Sequence, residues 1–332
     1  MPRITAVTVT YGDRFDRLCR ETIERAFAAG VSEMVVVDNG STESSSAALS
    51  RLAAASDRLT VLRNERNIGS AAAFGAALTE ARQGDPDFIW LLDDDNWVAP
   101  ETLDRLISVH QSASTSEDGG GVVVCARRVP NSFHDRVNAG VAADAVYPLP
   151  GAFLGFDVMN YASRFLRPPT TTVGHRTPPR IPYAPYGGLL IRSEILDEVG
   201  PPRGELVLYS DDTVWTSGIV AAGHPIVLAL DAVIEDADGK WTQGSSKNSV
   251  SASIRSQHTD RLYLSTRNRT WYDRSRVSTT AQRLRYALNR IVVLGVAALS
   301  AVPTSSWRGF RAFRRAIRDG ERGDFSETMR LG

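Results

Sequence analysis

The 332-residue sequence predicts an α/β protein with a mostly parallel central sheet, helices on both faces of that sheet and a helical C-terminal region. Short apolar segments rich in β-branched residues alternate with segments of helical periodicity up to Leu92. The apolar segments lack a polar face, which is typical of parallel strands buried on both sides. A polar cluster follows each strand. Because ligands bind beyond the carboxyl ends of strands in such sheets, these clusters predict one binding crevice.

The elements of this pattern follow one another in short repeats. The first strand ends at Tyr11, and Gly30 is a plausible end for the first helix. The predicted strands of the repeats are residues 4–10, 34–37, 59–63 and 88–92. The predicted helices are residues 16–29, a small-residue segment to about residue 55, and a segment that ends at residue 81.

The second half of the chain is less regular. A strand at 122–126 precedes a proline-dense region, 130–185, that has no clear periodicity. Two paired short strands are expected at 225–230 and 231–236. We predict one domain at 1–245, divided into two halves (1–128 and 129–245), and a C-terminal helical region at 246–332.

Composition limits the function classes. Lys and Arg number 38 and Asp and Glu also number 38, and this balance argues against a general nucleic-acid-binding protein. Cys19 and Cys125 form no metal-binding spacing and no disulfide framework, which favours a reducing compartment. The N-terminus shows a strand-like run and no signal-peptide pattern. We therefore expect a cytoplasmic protein.

Three successive carboxylates, Asp93, Asp94 and Asp95, end the fourth strand. Carboxylates beside a buried strand repel one another and lose hydration, so they indicate a nearby cation. In extended backbone Asp93 and Asp95 share a face while Asp94 points away. Oxygen ligands without Cys or His suit Mg²⁺ or Mn²⁺ held together with a phosphorylated ligand. An acidic, solvated turn is the alternative.

Three further polar clusters follow the other predicted strands, at Thr10-Tyr11, Asp38-Asn39 and Asn67. Each has an ordinary structural explanation by itself, namely packing, a turn and a helix start. Their convergence on one sheet edge with the carboxylates indicates a ligand site. The first strand is not followed by G-x-G-x-x-G, so the usual dinucleotide phosphate loop is missing from the sequence.

A second acidic pair, Asp211-Asp212, stands at the start of a helical segment that runs to Gly223. Ser210 as N-cap and acids in the first turn would explain this pair by helix capping and the helix dipole alone.

These motifs resemble family 2 glycosyltransferases of the GT-A fold. The resemblance rests on Thr10-Tyr11, on residues 37–42 (VDNGST), on residues 66–69 (RNIG) and on Asp93-Asp94-Asp95. It implies that Asp38 binds the nucleobase, that Thr10, Tyr11 and Asn67 line the nucleotide pocket, that Asp93 and Asp94 contact the donor, and that Asp93 and Asp95 form the metal-binding D-x-D pair. Many members carry Asn-Arg after the aromatic residue, where this chain has Gly12-Asp13-Arg14.

The resemblance continues more loosely in the second half. Asp212 corresponds to the family's catalytic base, with Asp211 as its neighbour, and Asp236 stands where many members place a metal-binding histidine. The implied acceptor-binding residues are Tyr186, Gly187, Gly188 and Trp215. Alternatives are a purely structural bulged strand for the two glycines and a solvated turn for Asp236. Tyr263, Arg267 and Asn268 resemble a Tyr-x-x-x-Arg-Asn segment of galactofuranosyl- and rhamnosyltransferases.

We therefore predict an inverting, divalent-metal-dependent glycosyltransferase that uses Mn²⁺ or Mg²⁺. The expected donor is a sugar linked to uridine diphosphate or thymidine diphosphate, with UDP and with galactofuranose or rhamnose favoured. The expected acceptor is a glycan or polyprenyl-linked glycan of the cell envelope. The resemblance implies that residues 1–245 are the catalytic domain, with a nucleotide-sugar-binding half at 1–128 and an acceptor-binding half at 129–245. Nucleic acid is not an expected partner. The alternatives are a sugar-phosphate nucleotidyltransferase, for which residues 11–15 make a poor phosphate loop, and an inactive nucleotide-sugar-binding protein, which could dispense with Asp211-Asp212.

The C-terminal region suggests contact with an anionic membrane. Residues 291–302 form an apolar run that is too short to span a bilayer by itself. A helix-like segment then interleaves arginines with aromatics, as in an interfacial amphipathic helix. The arginines are Arg308, Arg311, Arg314, Arg315 and Arg318, and the aromatics are Trp307, Phe310 and Phe313. We expect peripheral attachment to the inner face of the cell membrane; a core helix with a solvated basic face is the alternative.

Overall fold

A computed structural model describes residues 2–114, 121–159, 177–238, 254, 259–301 and 307–327. Within these ranges nine strands form one mixed sheet in the order β3-β2-β1-β4-β8-β6-β9-β5, with β7 paired to β9. The strands are β1 (Ile4–Gly12), β2 (Glu33–Ser41), β3 (Leu59–Asn64), β4 (Phe88–Leu91), β5 (Asn96–Val98), β6 (Val123–Val129), β7 (Arg180–Ile181), β8 (Leu189–Arg192) and β9 (Ile226–Asp236). Strands β1 to β4 are parallel, whereas β8 runs antiparallel to both β4 and β6.

The helices connect the strands and close the C-terminal end. They are α1 (Arg20–Ala28), α2 (Glu43–Ala54), α3 (Ser70–Gln83), α4 (Thr102–Ser114), α5 (Ser132–Asn138), α6 (Ala143–Val146), α7 (Ile195–Val199), α8 (Asp211–Ala221), α9 (Thr259–Ser275), α10 (Thr280–Ala301) and α11 (Trp307–Arg322). A π-helical turn, Phe15–Cys19, precedes α1, and a 3₁₀ turn, Gly204–Leu206, lies before α8.

The sheet is buried on both faces, as the apolar strands predicted. Alternate residues of β2 enter different core clusters: Val35 packs with Phe74 and Leu78 of α3, and Val36 packs with Ile23 of α1. Neighbouring side chains of a strand point to opposite faces, so a strand with two buried faces needs apolar residues throughout. The predicted α/β architecture is confirmed.

One strand prediction was wrong. The residues expected to form two paired strands, 225–230 and 231–236, form the single strand β9. Its register with β6 shifts from Ala126↔Ala229 to Arg127↔Val233, so that β9 bends between these pairs. The bend allows the last part of β9 to pair with β5 and carries Asp236 opposite Asn96.

The C-terminal helices pack onto the rest of the fold. Tyr272 of α9 belongs to the main core cluster, and α9 packs extensively against α11. The predicted boundary at residue 245 lies outside the described residues, so the domain division stays a prediction.

The prediction of an interfacial helix at Trp307–Phe313 was wrong about the aromatic face. Phe313 is 1% exposed and packs with Ile317 in a core cluster, although Trp307 is largely exposed. The exposed apolar surface lies on α10, which contains the predicted apolar run as far as Ala301. Among the described residues, α10 is the one helix whose length and composition would allow it to cross a membrane, and 28% of its most apolar stretch is buried.

Candidate active site

A cavity of about 780 Å³ opens at the carboxyl ends of β1, β2 and β4. It brings together polar residues that are distant in the chain. The predicted site residues that line it are Tyr11, Asn67, Asp93, Asp94, Asp95, Tyr186, Asp211, Asp212 and Asp236. Thr10, Asp38, Gly187, Gly188 and Trp215 do not line it and lie behind its wall.

Asp94 is held by an arginine that faces it from the start of the chain. The Arg14 Nε and a terminal nitrogen each donate to an Asp94 carboxylate oxygen at 2.8 Å, and the Thr10 hydroxyl donates at 3.0 Å. Burial raises the pKa of Asp94 and Arg14 lowers it, while the acids around Arg14 raise the pKa of the guanidinium. Two guanidinium hydrogen bonds require an ionised carboxylate, so we take Asp94 as charged. Thr10 therefore contacts, from behind the cavity wall, a carboxylate that lines the cavity.

A second arginine, Arg128, bridges two carboxylates on the opposite side. Its guanidinium contacts Asp93 at 2.9 Å and Asp236 at 3.2 Å. The backbone N–H of Arg128 donates to Nδ1 of His134, and burial lowers the pKa of this imidazole to about 3. The neutral ring therefore serves as an acceptor that fixes the end of β6.

Asp95 lies between these two clusters. Burial, together with the nearby charges of Asp93, Asp94 and Asp236, raises its pKa to about 8, although Arg14 contacts it at 3.1 Å. Carboxylate oxygens with no thiol or imidazole among them fit Mg²⁺ or Mn²⁺. Within the described part of the chain, no three His, Cys, Asp or Glu side chains form a group that could hold a metal ion by themselves. A cation there would need further oxygen ligands from a bound molecule.

Asn39, which follows Asp38 at the end of β2, organises the adjoining wall of the cavity. The Asn39 amide donates to Asn67 Oδ1 at 3.1 Å, and its carbonyl oxygen accepts from the backbone of Ile68 at 3.1 Å. Gly40 has a φ of +77°, and a Cβ there would lie 2.5 Å from the Asn67 nitrogen. The VDNG segment therefore packs directly against the turn that precedes α3.

Asp38 points away from the cavity. Its carboxylate accepts from the Ser41 backbone at 3.0 Å and from the Ser46 hydroxyl, and Arg63 lies 3.4 Å away. The structure thus gives this carboxylate an internal role at the start of α2, and a contact with a nucleobase stays a prediction.

The second acidic pair projects into the cavity from the N-terminus of α8. Asp211 is buried and accepts a hydrogen bond of 2.7 Å from Ser70 of α3. Burial and the adjacent charge of Asp212 raise the pKa of Asp211 to about 7. Asp212 is partly exposed and accepts from the Thr213 backbone at 2.6 Å; burial also raises its pKa. Ser210 makes no side-chain capping bond.

The predicted acceptor residues separate into two groups. Tyr186 lines the cavity beside Asp211, whereas Trp215 packs behind Tyr186 and donates to the carbonyl of Gly200 at 2.9 Å. A Cβ on Gly187 would lie 2.7 Å from Asp93 Oδ2. It would lie still closer, 2.2 Å, to Asn96 Oδ1, so the backbone at Gly187 packs against the side chains of Asn96 and Asp93.

Sequence reasoning missed several cavity residues. Arg128 and Ser70 contact acids that are distant in sequence, and Arg261 and Arg308 line the cavity from the C-terminal helices. A contact between residues that are far apart in the chain leaves no pattern in the local sequence. Only the acidic residues themselves, which require partners, pointed to such arginines.

The sheet order and the placement of both acidic clusters on one cavity define a GT-A glycosyltransferase fold. The chain belongs to glycosyltransferase family 2, whose family model matches residues 5–200. No curated protein sequence matches it.

Solved structures show the same fold. The mannosyltransferase PcManGT from Pyrobaculum calidifontis, in complex with GDP-Man and Mn²⁺, is 17% identical with a TM-score of 0.51, and the match covers 97% of this chain and 88% of that one. GalNAc-T7 with UDP, GalNAc and Mn²⁺ is 15% identical with a TM-score of 0.50, and covers 71% and 44%. The chain is therefore a GT-A enzyme of family 2.

Proposed function

We propose that this protein is an inverting glycosyltransferase that uses a nucleoside-diphosphate sugar, a divalent cation and Asp212 as general base. The observation that carries the proposal is that two acidic clusters from distant parts of the chain line one cavity: the first is Asp93, Asp95 and Asp236, and the second is Asp211 and Asp212 at the start of α8. One cluster suits the diphosphate with its metal, and the other suits the acceptor hydroxyl.

The donor would lie along Tyr11, Asn39 and Asn67, with its diphosphate toward Asp93 and Asp95. Asp93, Asp95 and Asp236 would hold Mn²⁺ or Mg²⁺ together with phosphate oxygens. When bound, the cation supplies positive charge that stabilises the departing diphosphate. The complexes of PcManGT and GalNAc-T7 with Mn²⁺ support this choice of metal.

Asp212 would accept the proton of the acceptor hydroxyl. The acceptor oxygen forms a bond to the anomeric carbon while the bond from that carbon to the phosphate oxygen breaks, and the nucleoside diphosphate leaves with the electron pair. Attack on the face of the anomeric carbon opposite the departing diphosphate would invert the configuration. A hydrogen bond from the Ser70 hydroxyl holds the Asp211 carboxylate in place.

The finer identity of the substrates rests on the motif resemblance. We propose a UDP-linked donor and a cell-envelope glycan or glycolipid as acceptor. Galactofuranose or rhamnose is the favoured sugar, because Tyr263, Arg267 and Asn268 match the segment found in the transferases of those sugars. A panel of nucleotide sugars, assayed for release of nucleoside diphosphate with Mn²⁺, Mg²⁺ or excess chelator, tests both donor and metal. Full activity in excess chelator would overturn the metal site.

The base is tested by Asp212→Asn. This variant keeps the shape of the side chain and loses its basicity, so turnover should fall about 10²-fold or more while nucleotide binding persists. Asp211→Asn is the matched comparison, and if Asp211→Asn alone abolishes turnover, the two roles are exchanged.

We also propose that α10 attaches the enzyme to an anionic membrane from the cytoplasmic side. Large apolar side chains are exposed along this helix, and arginines are exposed along the neighbouring α11. The apolar residues are Leu284, Leu288, Ile291, Val296 and Leu299. The arginines are Arg308, Arg311, Arg314, Arg315 and Arg318. An apolar stripe beside a cationic helix complements a bilayer with anionic headgroups, where each basic residue contributes about 1 kcal/mol.

Sedimentation with vesicles tests this surface. The whole chain should bind vesicles that contain anionic lipid, and salt should release part of it because only the arginine contribution is screened. Ile291→Glu combined with Leu299→Glu should abolish binding. Thr60→Glu combined with Gln111→Glu, which adds the same charge at exposed positions of β3 and α4, should not. A whole chain that ignores anionic vesicles would overturn the proposal. A chain cut near Ser278 would be a poor substitute, because it loses α11, which packs on α9.

A further inference from the structure

The backbone that leads into α8, the helix that begins with Asp211 and Asp212, has an unfavourable conformation. Val207, Tyr209 and Ser210 have φ values of +64°, +70° and +58°. Val207 also has ψ −68°, and the Leu208 N–H bonds to the Leu206 carbonyl at 2.7 Å, which makes a γ-turn with positive φ. A positive φ is rare for residues other than glycine and is an outlier for a β-branched residue such as valine. Something outside this segment, residues 206–210, must hold it in place.

Asn268 of α9 contacts three carbonyls of this segment. Its amide nitrogen lies 2.7 Å from the carbonyl oxygen of Leu206, 2.9 Å from that of Leu208 and 2.9 Å from that of Tyr209. Its side chain is completely buried. One amide group therefore satisfies the carbonyls on both sides of the strained turn, in a place that water does not reach.

Arg267 orients that amide. Its Nε donates to the Asn268 side-chain oxygen at 3.0 Å, so the amide nitrogen must face the segment. A terminal nitrogen of Arg267 also donates to the Glu205 carbonyl at 3.2 Å. Arg267 is completely buried, and its guanidinium lies over the Tyr263 ring at 5.6 Å. Tyr263 and Leu264 of α9 also pack with Val207 in one apolar cluster.

The other side of the segment contacts the start of α3. The Ala71 N–H donates to the Val207 carbonyl at 3.3 Å, and a Cβ on Gly69 would lie 2.2 Å from that oxygen. The segment is thus clamped between α9 and α3, and it ends directly at Asp211 and Asp212. Any change in its path moves both carboxylates.

We propose that Asn268, oriented by Arg267, is a positioning residue that holds segment 206–210 in its strained path and so places Asp212 in the cavity. The inference rests on the proposed role of Asp212 as base. It assigns the C-terminal helices a part in turnover, through contacts of Asn268 and Arg267, which do not themselves line the cavity.

The test compares two buried asparagines. Asn268→Leu removes the amide with little change in volume. Asn289→Leu is the matched control, because Asn289 of α10 is also completely buried and donates its amide to the Gly151 carbonyl at 2.8 Å, away from the cavity. Asn268→Leu should lower kcat about 10²-fold, a loss that a misplacement of about 1 Å can produce, and leave the donor KM within about threefold. Asn289→Leu should keep kcat within about threefold. Asn268→Ser, which retains one donor, should give an intermediate kcat.

Three results would overturn the inference: an unchanged kcat in Asn268→Leu, equal losses in both leucine variants, or a rise in donor KM that accounts for the whole loss. If circular dichroism shows that Asn268→Leu is unfolded, Asn268→Ser is compared with Asn289→Leu in its place. If neither Asn268 variant folds while Asn289→Leu does, Asn268 is required for the fold only. This result would also overturn the inference. Asp212→Asn is assayed in parallel. If Asp212→Asn keeps full turnover, the proposed base is refuted. If Asp212→Asn is inactive and Asn268→Leu keeps full turnover, only the positioning role is refuted.

Discussion

The change Asp94→Asn separates a structural carboxylate from a donor-binding one. The sequence motif implies a donor contact for Asp94, but the structure surrounds it with Arg14 at 2.8 Å and Thr10 at 3.0 Å and leaves it 4% exposed. Removing one partner of a buried ion pair costs about 3 to 5 kcal/mol. Arg14 keeps Asp95 at 3.1 Å and Asp238 at 2.6 Å, so we expect the lower end, about 3 kcal/mol.

Urea denaturation followed by circular dichroism measures this loss, and the melting temperature should fall by about 6 °C at about 2 °C per kcal/mol. The control is Asp85→Asn, which removes an exposed partner that lies 2.7 Å from Arg82 and should cost less than about 1 kcal/mol. Nucleotide binding by folded Asp94→Asn should remain measurable by calorimetry. Unchanged stability with complete loss of nucleotide binding would refute the structural role and restore the donor contact.

Two further predictions concern the acidic clusters. Asp212 must be ionised to accept a proton, so kcat should fall as the pH drops, and its raised pKa places this acid limb above the ordinary carboxyl range near 4. An acid limb that stays near pH 4 in kcat profiles at saturating metal and donor would contradict this prediction. Gly187→Ala places a Cβ 2.2 Å from Asn96 Oδ1 and 2.7 Å from Asp93 Oδ2, so it should displace Asp93 and lower activity about 10²-fold. Gly218→Ala, which meets nothing within 4 Å, should retain activity; equal activities would argue against the close contacts.

The resemblance and the strand pattern together anticipated most of the cavity. Tyr11, Asn67 and the Asp93–Asp95 triplet follow apolar strands, and the carboxyl ends of parallel strands share one edge of a sheet. Hydrophobic patterning therefore suffices to bring these residues to one place. The acidic pair Asp211-Asp212 required the family resemblance, because helix capping explains two acids in a first turn equally well.

Directions and partners of individual side chains were decided by the tertiary structure. The sequence indicated that the triplet needs positive charge, but the structure shows Arg14 and Arg128 as its neighbours. Asp236 reaches Asp95 because β9 bends at its register shift and pairs with β5. An arginine about 80 positions away leaves no periodic signal in the chain.

The sequence by itself determined that this chain has a two-sided sheet, acidic clusters at strand ends and an amphipathic C-terminal helix. The tertiary structure decided what that helix contacts: Phe313 and Ala316 of α11 are buried, and the exposed apolar stripe lies on α10. It also brought the amide of Asn268 to the backbone carbonyls of the segment before Asp211. The physical reason is that periodicity specifies that one face of an element is apolar, whereas the partner of that face, and the acceptor of each buried donor, depend on contacts between segments that only the folded chain brings together.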